Sequence, residues 1–466
     1  CISSAASDVY KRQGMQLSYM AIAGVSLGNY GMKRLHKKTG FRRFQKRYPL
    51  RFRVVQSLFY SVTLQGMMLP VVAKTYYEIP VYAGLLNLIV VPGMTVVVAG
   101  SWFGLLVSIG TISLGRFVML PVGWMLQGYT WLCERTLELP WNTLVTGEIR
   151  GWQIGMWYGG IACTLVLLRT KTRNKLRDFV YKHTGRFWRK REVVRYTVCT
   201  ILISMLLQGA GQALCVWQQR TEAICFLDVG QGDGILIRSP DGRNIVIDGG
   251  STSQSKCGTY TLLPALRSQG MTEIDCWFVT HTDEDHISGL KELLSQGKLT
   301  QIKVRTIVFS AYVFQDAALA ELETMIRAAG ITIVWMREGD VIGDDTFTLT
   351  CLHPTAEYRA KDKNAASLAL AYHSDTFDML FTGDMDADAV ADMDIQQDYD
   401  CIKLPHHGSK YSYVEGVYAH ADYGLISCGY NNRYGHPHAE VLQGLAQEGT
   451  KVLRTDEMGA VVFRGR

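Results

Sequence analysis

Between Val81 and Ile109 the chain runs without a charged residue. A helix needs about 20 such residues to cross a hydrocarbon core, so this run fits a membrane better than a soluble fold. Comparable apolar runs occupy Val54–Tyr76, Ile112–Leu132, Trp152–Leu168 and Tyr196–Val216, and a shorter helix is expected at Met15–Gly28. The buried helix of a soluble protein imitates one such run, but not five in one half of a chain. Pro70, Pro80, Pro92 and Pro121 fall in or beside these segments, which predicts kinked or broken helices.

Charge divides the chain at the same place. Residues 1–220 hold 28 Lys+Arg against 7 Asp+Glu, and residues 221–466 hold 20 against 35, so balances of +21 and −15 make up the net +6. With 48% hydrophobic residues the chain is not disordered, and with unlike halves it is not one globular domain. Two basic runs, Lys33–Arg53 and Arg169–Arg195, flank the apolar segments and are expected as cytoplasmic loops. Four spans separate them, and a fifth, Tyr196–Val216, then carries everything after Thr221 to the outer face. No signal peptide is visible at the start. Asp8–Gln13 (DVYKRQ) resembles the translation of a sequencing adapter, so residues 1–13 are set aside and the chain is read as the C-terminal part of a longer protein.

After Thr221 the hydrophobic period switches to short β-rich runs with helical stretches such as Ser288–Leu294 and Asp316–Ala329 between them, predicting two sheets between helices. Six cysteines lie here, none in a CxxC spacing, which argues against a zinc ribbon. The densest signal is Thr280–Gly289 (THTDEDHISG), placed between a strand and a helix. Two imidazoles and two carboxylates, His281, Asp283, Asp285 and His286, crowd one turn. They would repel and desolvate badly unless a cation sat among them. A helix cap by Thr282 or Asp283 accounts for one polar residue, not four.

THTDEDH resembles the H-x-H-x-D-H motif of the metallo-β-lactamase superfamily, with Asp283 at the middle His position, a variant similar to the ComEC family of competence proteins. Phe226–Gly234 (FLDVGQGDG), Ile247–Gly250 (IDGG), Leu380–Asp384 (LFTGD), Leu404–Ser409 (LPHHGS) and Tyr434–Pro437 (YGHP) follow that family's order, and Met15–Gly24 and Leu86–Pro92 resemble pieces of its competence domain. The resemblance implies a multi-helix transmembrane bundle followed by an αββα sandwich. Residues 1–13 would be a foreign leader, 14–170 a partial competence domain, 171–221 a basic loop with the last span, and 222–466 the hydrolase. It implies two divalent ions, one on His281 and Asp283, the other on Asp285 and His286, with Asp384 bridging and His406, or its neighbour His407, completing the second site. Asp384, Asp285 and His436 would be catalytic, His436 as proton donor to the leaving oxygen or lining the groove. His407, Ser409, Lys410 and Asn364 would face the substrate.

One departure stands out: the superfamily supplies a further His shortly before the GD strand, where this chain reads Lys363–Ser367 (KNAAS). Asn364 or water fills the gap, or a single metal is bound; His353 is the runner-up ligand. Asp283 hardens the ligand set and favours Mn²⁺ over Zn²⁺. Asp248 is expected as a buried orienter, Glu284 as solvated, and Asp228, Gln231 and Asp233 in a glycine turn. The function implied is a cell-membrane channel for single-stranded DNA in natural competence, working with other competence proteins, with an outward metal-dependent nuclease. A domain at −15 binds duplex poorly unless Lys403, Lys410 and Arg433 form a local basic patch. A membrane-tethered metallo-phosphodiesterase of an envelope or small phosphodiester, or a channel with an inactive hydrolase-like cap, are the alternatives.

Overall fold

The computed structural model describes residues 2–37, 39–168, 178, 182, 221–297, 300–393, 395 and 397–465. The chain divides into two compact units, Cys1–Val216 and Trp217–Arg466. The expected span Tyr196–Val216 lies outside the described residues, as does nearly all of the basic run Arg169–Arg195.

In the first unit, helices α1 (Ile2–His36), α2 (Thr39–Arg47), α3 (Pro49–Tyr76), α4 (Ala83–Gly110), α5 (Ile112–Leu137) and α6 (Gly151–Leu168) are joined by short connections, with β1 (Glu78–Pro80) pairing β2 (Thr143–Val145). Every expected apolar run within the described residues is helical. Two of these helices, Pro49–Tyr76 and Ala83–Gly110, are long and apolar enough to cross a membrane. α5 carries Arg116, Gln127, Glu134 and Arg135, which lower its hydropathy below theirs. The first basic run is not a plain loop, since its middle forms α2, whose Phe41 packs edge-on against His36 and Phe52.

Small residues let these helices approach. A Cβ on Gly24 would lie 2.7 Å from Leu64 Cα, and one on Gly104 would lie 2.6 Å from Met119 Sδ, so the Gly24–Gly28–Gly31 stripe seats α1 on α3 and Gly104 seats α4 on α5. Pro70 lies inside α3 and lacks the N–H that would bond Gly66 O. Trp157 Nε1 of α6 donates to that carbonyl at 2.8 Å, and the Tyr158 hydroxyl donates to Met67 O at 2.7 Å. A proline break is thus satisfied from a neighbouring helix.

The second unit is two seven-stranded sheets. One runs β16 (Val461–Arg464), β3 (Ala223–Phe226), β4 (Gly234–Arg238), β5 (Asn244–Asp248), β6 (Glu273–Phe278), β7 (Lys303–Ser310), β8 (Thr332–Met336). The other runs β15 (Lys451–Arg454), β14 (Ala421–Ile426), β13 (Tyr399–Lys403), β12 (Asp378–Phe381), β11 (Ala369–Ser374), β10 (Phe347–His353), β9 (Val341–Gly343). Alternation sorts the side chains: Ile245 and Ile247 face the second sheet with Phe226, Phe347 and Phe381, while Val246 and Trp277 face helices α7 (Leu263–Ser268), α8 (Glu284–Gln296) and α9 (Ala317–Ala328). Beyond the second sheet, Ile402, Leu404 and Ile426 pack on Val441 and Leu445 of α11 (Ala439–Glu448), which follows the short α10 (Ala387–Asp392). This is the expected αββα layering.

β5 and β6 run parallel, as do β12, β13 and β14, so the loops after these strands gather at one end, where open α/β sheets place their ligands. The IDGG turn after β5 presses on the start of α8: a Cβ at Gly250 would lie 2.5 Å from Glu284 O and His286 N, which are backbone atoms with nowhere to go. Gly250→Ala should therefore cost about 1–3 kcal/mol of stability, the usual range for overpacking. Thermal unfolding of the detergent-solubilised chain measures it, and an unchanged transition would show that the turn tolerates a side chain.

Candidate metal centre

The centre is assembled on Asp248, the last residue of β5. It takes the left-handed conformation (φ +57°), which Asp tolerates better than most residues, and this turns its carboxylate toward the end of β6. Asp248 Oδ1 accepts from Thr280 N at 2.8 Å, and Oδ2 accepts from Thr280 Oγ1 at 2.7 Å and from His286 Nδ1 at 2.8 Å. The expected orienter role matches this geometry. With Nδ1 committed, the other ring nitrogen of His286 points into the centre.

There it meets three further groups. His286 Nε2 lies 3.3 Å from Asp384 Oδ1; His407 Nε2 lies 3.3 Å from Asp384 Oδ2 and 3.5 Å from Asp285 Oδ2. His407 Nδ1 donates to Ser427 O at 2.8 Å, which fixes its ring as Asp248 fixes His286. His286 Nε2, His407 Nε2 and Asp384 Oδ1 are buried without a hydrogen bond. Native structures rarely leave such atoms unsatisfied. Two ligands about 2.1 Å from one ion stand about 3.0–3.4 Å apart; the two 3.3 Å separations fall at the upper end of that range and the 3.5 Å separation just beyond it. Asp285, His286, Asp384 and His407 thus form a donor set that fits a divalent cation.

His407, expected against the substrate or as the alternative ligand, sits in this set, whereas His406, the first choice as ligand, lies at its rim with Nε2 4.0 Å from Asp384 Oδ2. Both are in the left-handed region (φ 49° and 56°), and this double twist sends His407 inward and leaves His406 part-exposed. His281 is buried beside His286, its Nε2 3.6 Å from Asp283 Oδ2, but Asp283 Oδ1 is ion-paired with Lys363.

The remaining expectations divide. The rings of His436 and His406 lie 5.6 Å apart, and both residues line a cavity of about 320 Å³ over the centre together with Asp283, Asp285 and Tyr434. Glu284 is also on that wall, paired to Lys291 at 3.2 Å. Ser409 is buried in its own turn, its Oγ accepting from Tyr411 N at 3.3 Å, and Lys410 reaches Glu440 at 3.4 Å. Asn364 does not line the cavity, and the residue of this turn that reaches the centre is the buried Ser367, its Oγ 3.4 Å from His281 Nδ1 and accepting from Asp384 N at 3.2 Å. His353 is buried away from the centre with Nε2 on Ala365 O, as befits a structural residue. Lys403 is not part of a surface patch: it is fully buried, its ammonium 2.6 Å from Asp233 and 3.1 Å from Gly383 O. Reading the sequence missed Ser367 and Lys363 as parts of the centre and placed Lys403 on the surface; its position at the end of β13, directly before LPHHGS, was the one available hint.

Without an ion the cluster holds protons. Burial works against an imidazolium at His407, yet Asp384 and Asp233 outweigh it and push the pKa up to about 10, and Asp384 with Asp248 raises His286 likewise. Burial also opposes ionisation of Asp384, Asp285 and Asp283, but the neighbouring imidazoles, with Lys363 at Asp283, bring all three below the usual carboxylate value, Asp283 to about 2. Burial, then His407 and His406, lower His436 to about 4, so its ring is neutral and not a charged acid.

The sign of the pH dependence follows. The raised imidazoles contribute stability that is full below about pH 6.5 and lost as pH climbs through their folded values. The lowered carboxylates contribute above about pH 4 and lose that contribution on acidification. The metal-free chain should melt at lower temperature at pH 8 than at pH 6, and added Mn²⁺ should raise the melting temperature more at pH 8, because binding must expel the imidazolium protons. Equal Mn²⁺ shifts at both values would refute this assignment. Asp248→Asn, which keeps the tolerated backbone but loses the charge, should weaken Mn²⁺ binding about 10–100-fold in a chelator competition.

Comparison with known proteins places both units. A match to the competence protein family covers residues 8–171, and a match to the metallo-beta-lactamase superfamily covers residues 227–356. ComE operon protein 3 of Bacillus subtilis is 31% identical over 257 residues, 51% of this chain and 32% of that protein. Competence protein ComA of Neisseria gonorrhoeae is 27% identical over 289 residues, 57% of this chain and 38% of that protein. The matches thus span about a third of these relatives. Among solved structures, the metallo-beta-lactamase fold protein YhfI from Bacillus subtilis is similar at 15% identity and a TM-score of 0.35, covering 52% of this chain and all of that one. The chain thus joins a segment similar to the competence protein family to a segment similar to the metallo-β-lactamase superfamily, the combination that its motifs resemble in the ComEC family.

Proposed function

We propose that this chain is part of a membrane channel for single-stranded DNA, multi-pass in the cell membrane, with its second unit on the outer face as a metal-dependent hydrolase of DNA phosphodiesters. The domain division 14–170, 171–221 and 222–466 belongs to the same proposal. The observation that carries the hydrolase reading is the convergence of ligand atoms from Asp285 and the buried His286, Asp384 and His407 beneath an open cavity.

A divalent ion held by Asp285, His286, Asp384 and His407 would supply Lewis acidity at a phosphoryl oxygen and make water available as nucleophile near neutral pH. The rest of the work falls to the chain. Asp248 and Ser427 O hold the two ligand rings in one tautomer, so their Nε2 atoms face the cavity unprotonated when an ion is bound. His436, neutral at the cavity wall, is placed to accept a hydrogen bond there.

Features of a single-strand site border the cavity. Arg433 lies 4.8 Å over the Tyr434 ring and Lys410 lies 5.6 Å over Tyr411, which is 73% exposed. Exposed aromatic faces beside cations suit stacked bases with phosphates between them.

The detergent-solubilised chain with Mn²⁺ should cleave labelled single-stranded DNA. Asp384→Ala and His407→Ala should each slow cleavage by roughly 100-fold or more, the worth of several kcal/mol of lost charge stabilisation. Activity surviving Asp384→Ala, or none with any divalent ion, would count against the nuclease; cleavage of small phosphodiesters but not DNA would select the envelope alternative.

A further inference from the structure

We infer that Lys363 occupies the second cation position of this centre with its own ammonium group, so that the site takes one divalent ion and not two. The inference rests on the metal-centre reading above and concerns how many ions the centre admits.

The pair that would hold a second ion is His281 and Asp283. His281 offers a buried Nε2 without a hydrogen bond, 3.6 Å from Asp283 Oδ2. The other oxygen of Asp283 is already paired with Lys363 Nζ. That ammonium is anchored from behind: it lies 3.6 Å from Asp316 Oδ2, and Asp316 is itself fixed, accepting from Leu319 N at 2.8 Å as the cap of α9 and from Thr282 Oγ1 at 3.0 Å. A divalent ion on Asp283 would therefore face a like charge across one carboxylate. Among the described residues, no third strong donor joins the pair. Where the superfamily brings a further His, this chain brings Ser367, whose hydroxyl sits 3.4 Å from His281 Nδ1. Among the described residues, His281 and Asp283 belong to no group of three or more His, Cys, Asp or Glu ligand atoms close enough to share an ion.

The same device recurs behind the centre. Asp233, Asp248 and His286 do form such a group, but Lys403 Nζ stands 2.6 Å from Asp233 Oδ2. At both places beside the four-donor set, a lysine supplies the positive charge and leaves that set as the position for an ion.

The test counts ions in the detergent-solubilised full chain after chelator stripping and Mn²⁺ reloading, by elemental analysis, with electron paramagnetic resonance to tell isolated from exchange-coupled Mn²⁺. Expected are one ion per chain with an isolated-ion spectrum, the same for Lys363→Arg and for Asp283→Asn, and a second, coupled ion in Lys363→Ala. Circular dichroism confirms that each variant is folded, and an unfolded Lys363→Ala leaves Asp283→Asn to decide, since loss of an ion there would make Asp283 a ligand and overturn the inference. Two ions in the unsubstituted chain would overturn it while leaving the hydrolase reading intact. A chain that binds no ion would overturn both.

Discussion

Asp248 accepts three hydrogen bonds from Thr280 and His286, and the geometry of the whole centre hangs on them. They tie the end of β5 to the loop after β6, so the first sheet presents its ligands as one rigid edge. A charge-assisted bond of this kind, made in the absence of water, is stronger than its surface counterpart. Close approach makes it possible: at Gly249–Gly250 the turn after β5 lies directly against the first turn of α8, where Asp285 and His286 begin. The second sheet contributes Asp384 and His407 by the same route, from loops following parallel strands.

This arrangement concentrates charge where water is scarce. Asp233, Asp248, His286, Asp384, Lys403 and His407 are each buried to within a few per cent. Isolated, each ionised group would cost several kcal/mol, more than the burial of one large apolar side chain returns. The sandwich tolerates them because they alternate in sign: Lys403 answers Asp233, and the imidazoles answer Asp384. The protons that raise His286 and His407 therefore stand in for the ion's charge in the metal-free protein, and loss of one group unbalances the rest.

Much of this was legible in the sequence because the ligands sit in short contiguous motifs. His281, Asp283, Asp285 and His286 fall on one turn, between a β-rich run and a helical stretch that the sequence shows. Legibility failed where position depends on backbone twist or on a partner distant in the chain. LPHHGS offers two adjacent histidines, and only the paired left-handed conformations decide that His407 turns inward. Asn364 was the nearest polar candidate in number, but the turn 362–367 brings Ser367 to the centre. Lys403 read as a surface cation because lysine usually is one; its burial follows from Asp233, 170 positions earlier. The short strands Val341–Gly343 and Lys451–Arg454 escaped because three or four residues carry too little periodicity.

The charge balance fits the proposed division of labour. Residues 221–466, at −15, repel a polyanion over most of their surface, so non-specific duplex binding through many neutralised phosphates is closed to them. With Lys363 and Lys403 spent on internal carboxylates, few cations remain near the cavity, chiefly Lys410 and Arg433. Affinity must then come from the centre itself and from stacking on exposed tyrosines, both short-ranged. An enzyme of that kind acts poorly on DNA free in solution and well on a strand delivered to it. In the proposed channel, tethering to membrane helices in the same chain would supply delivery, because a strand held at the membrane is presented at high effective concentration.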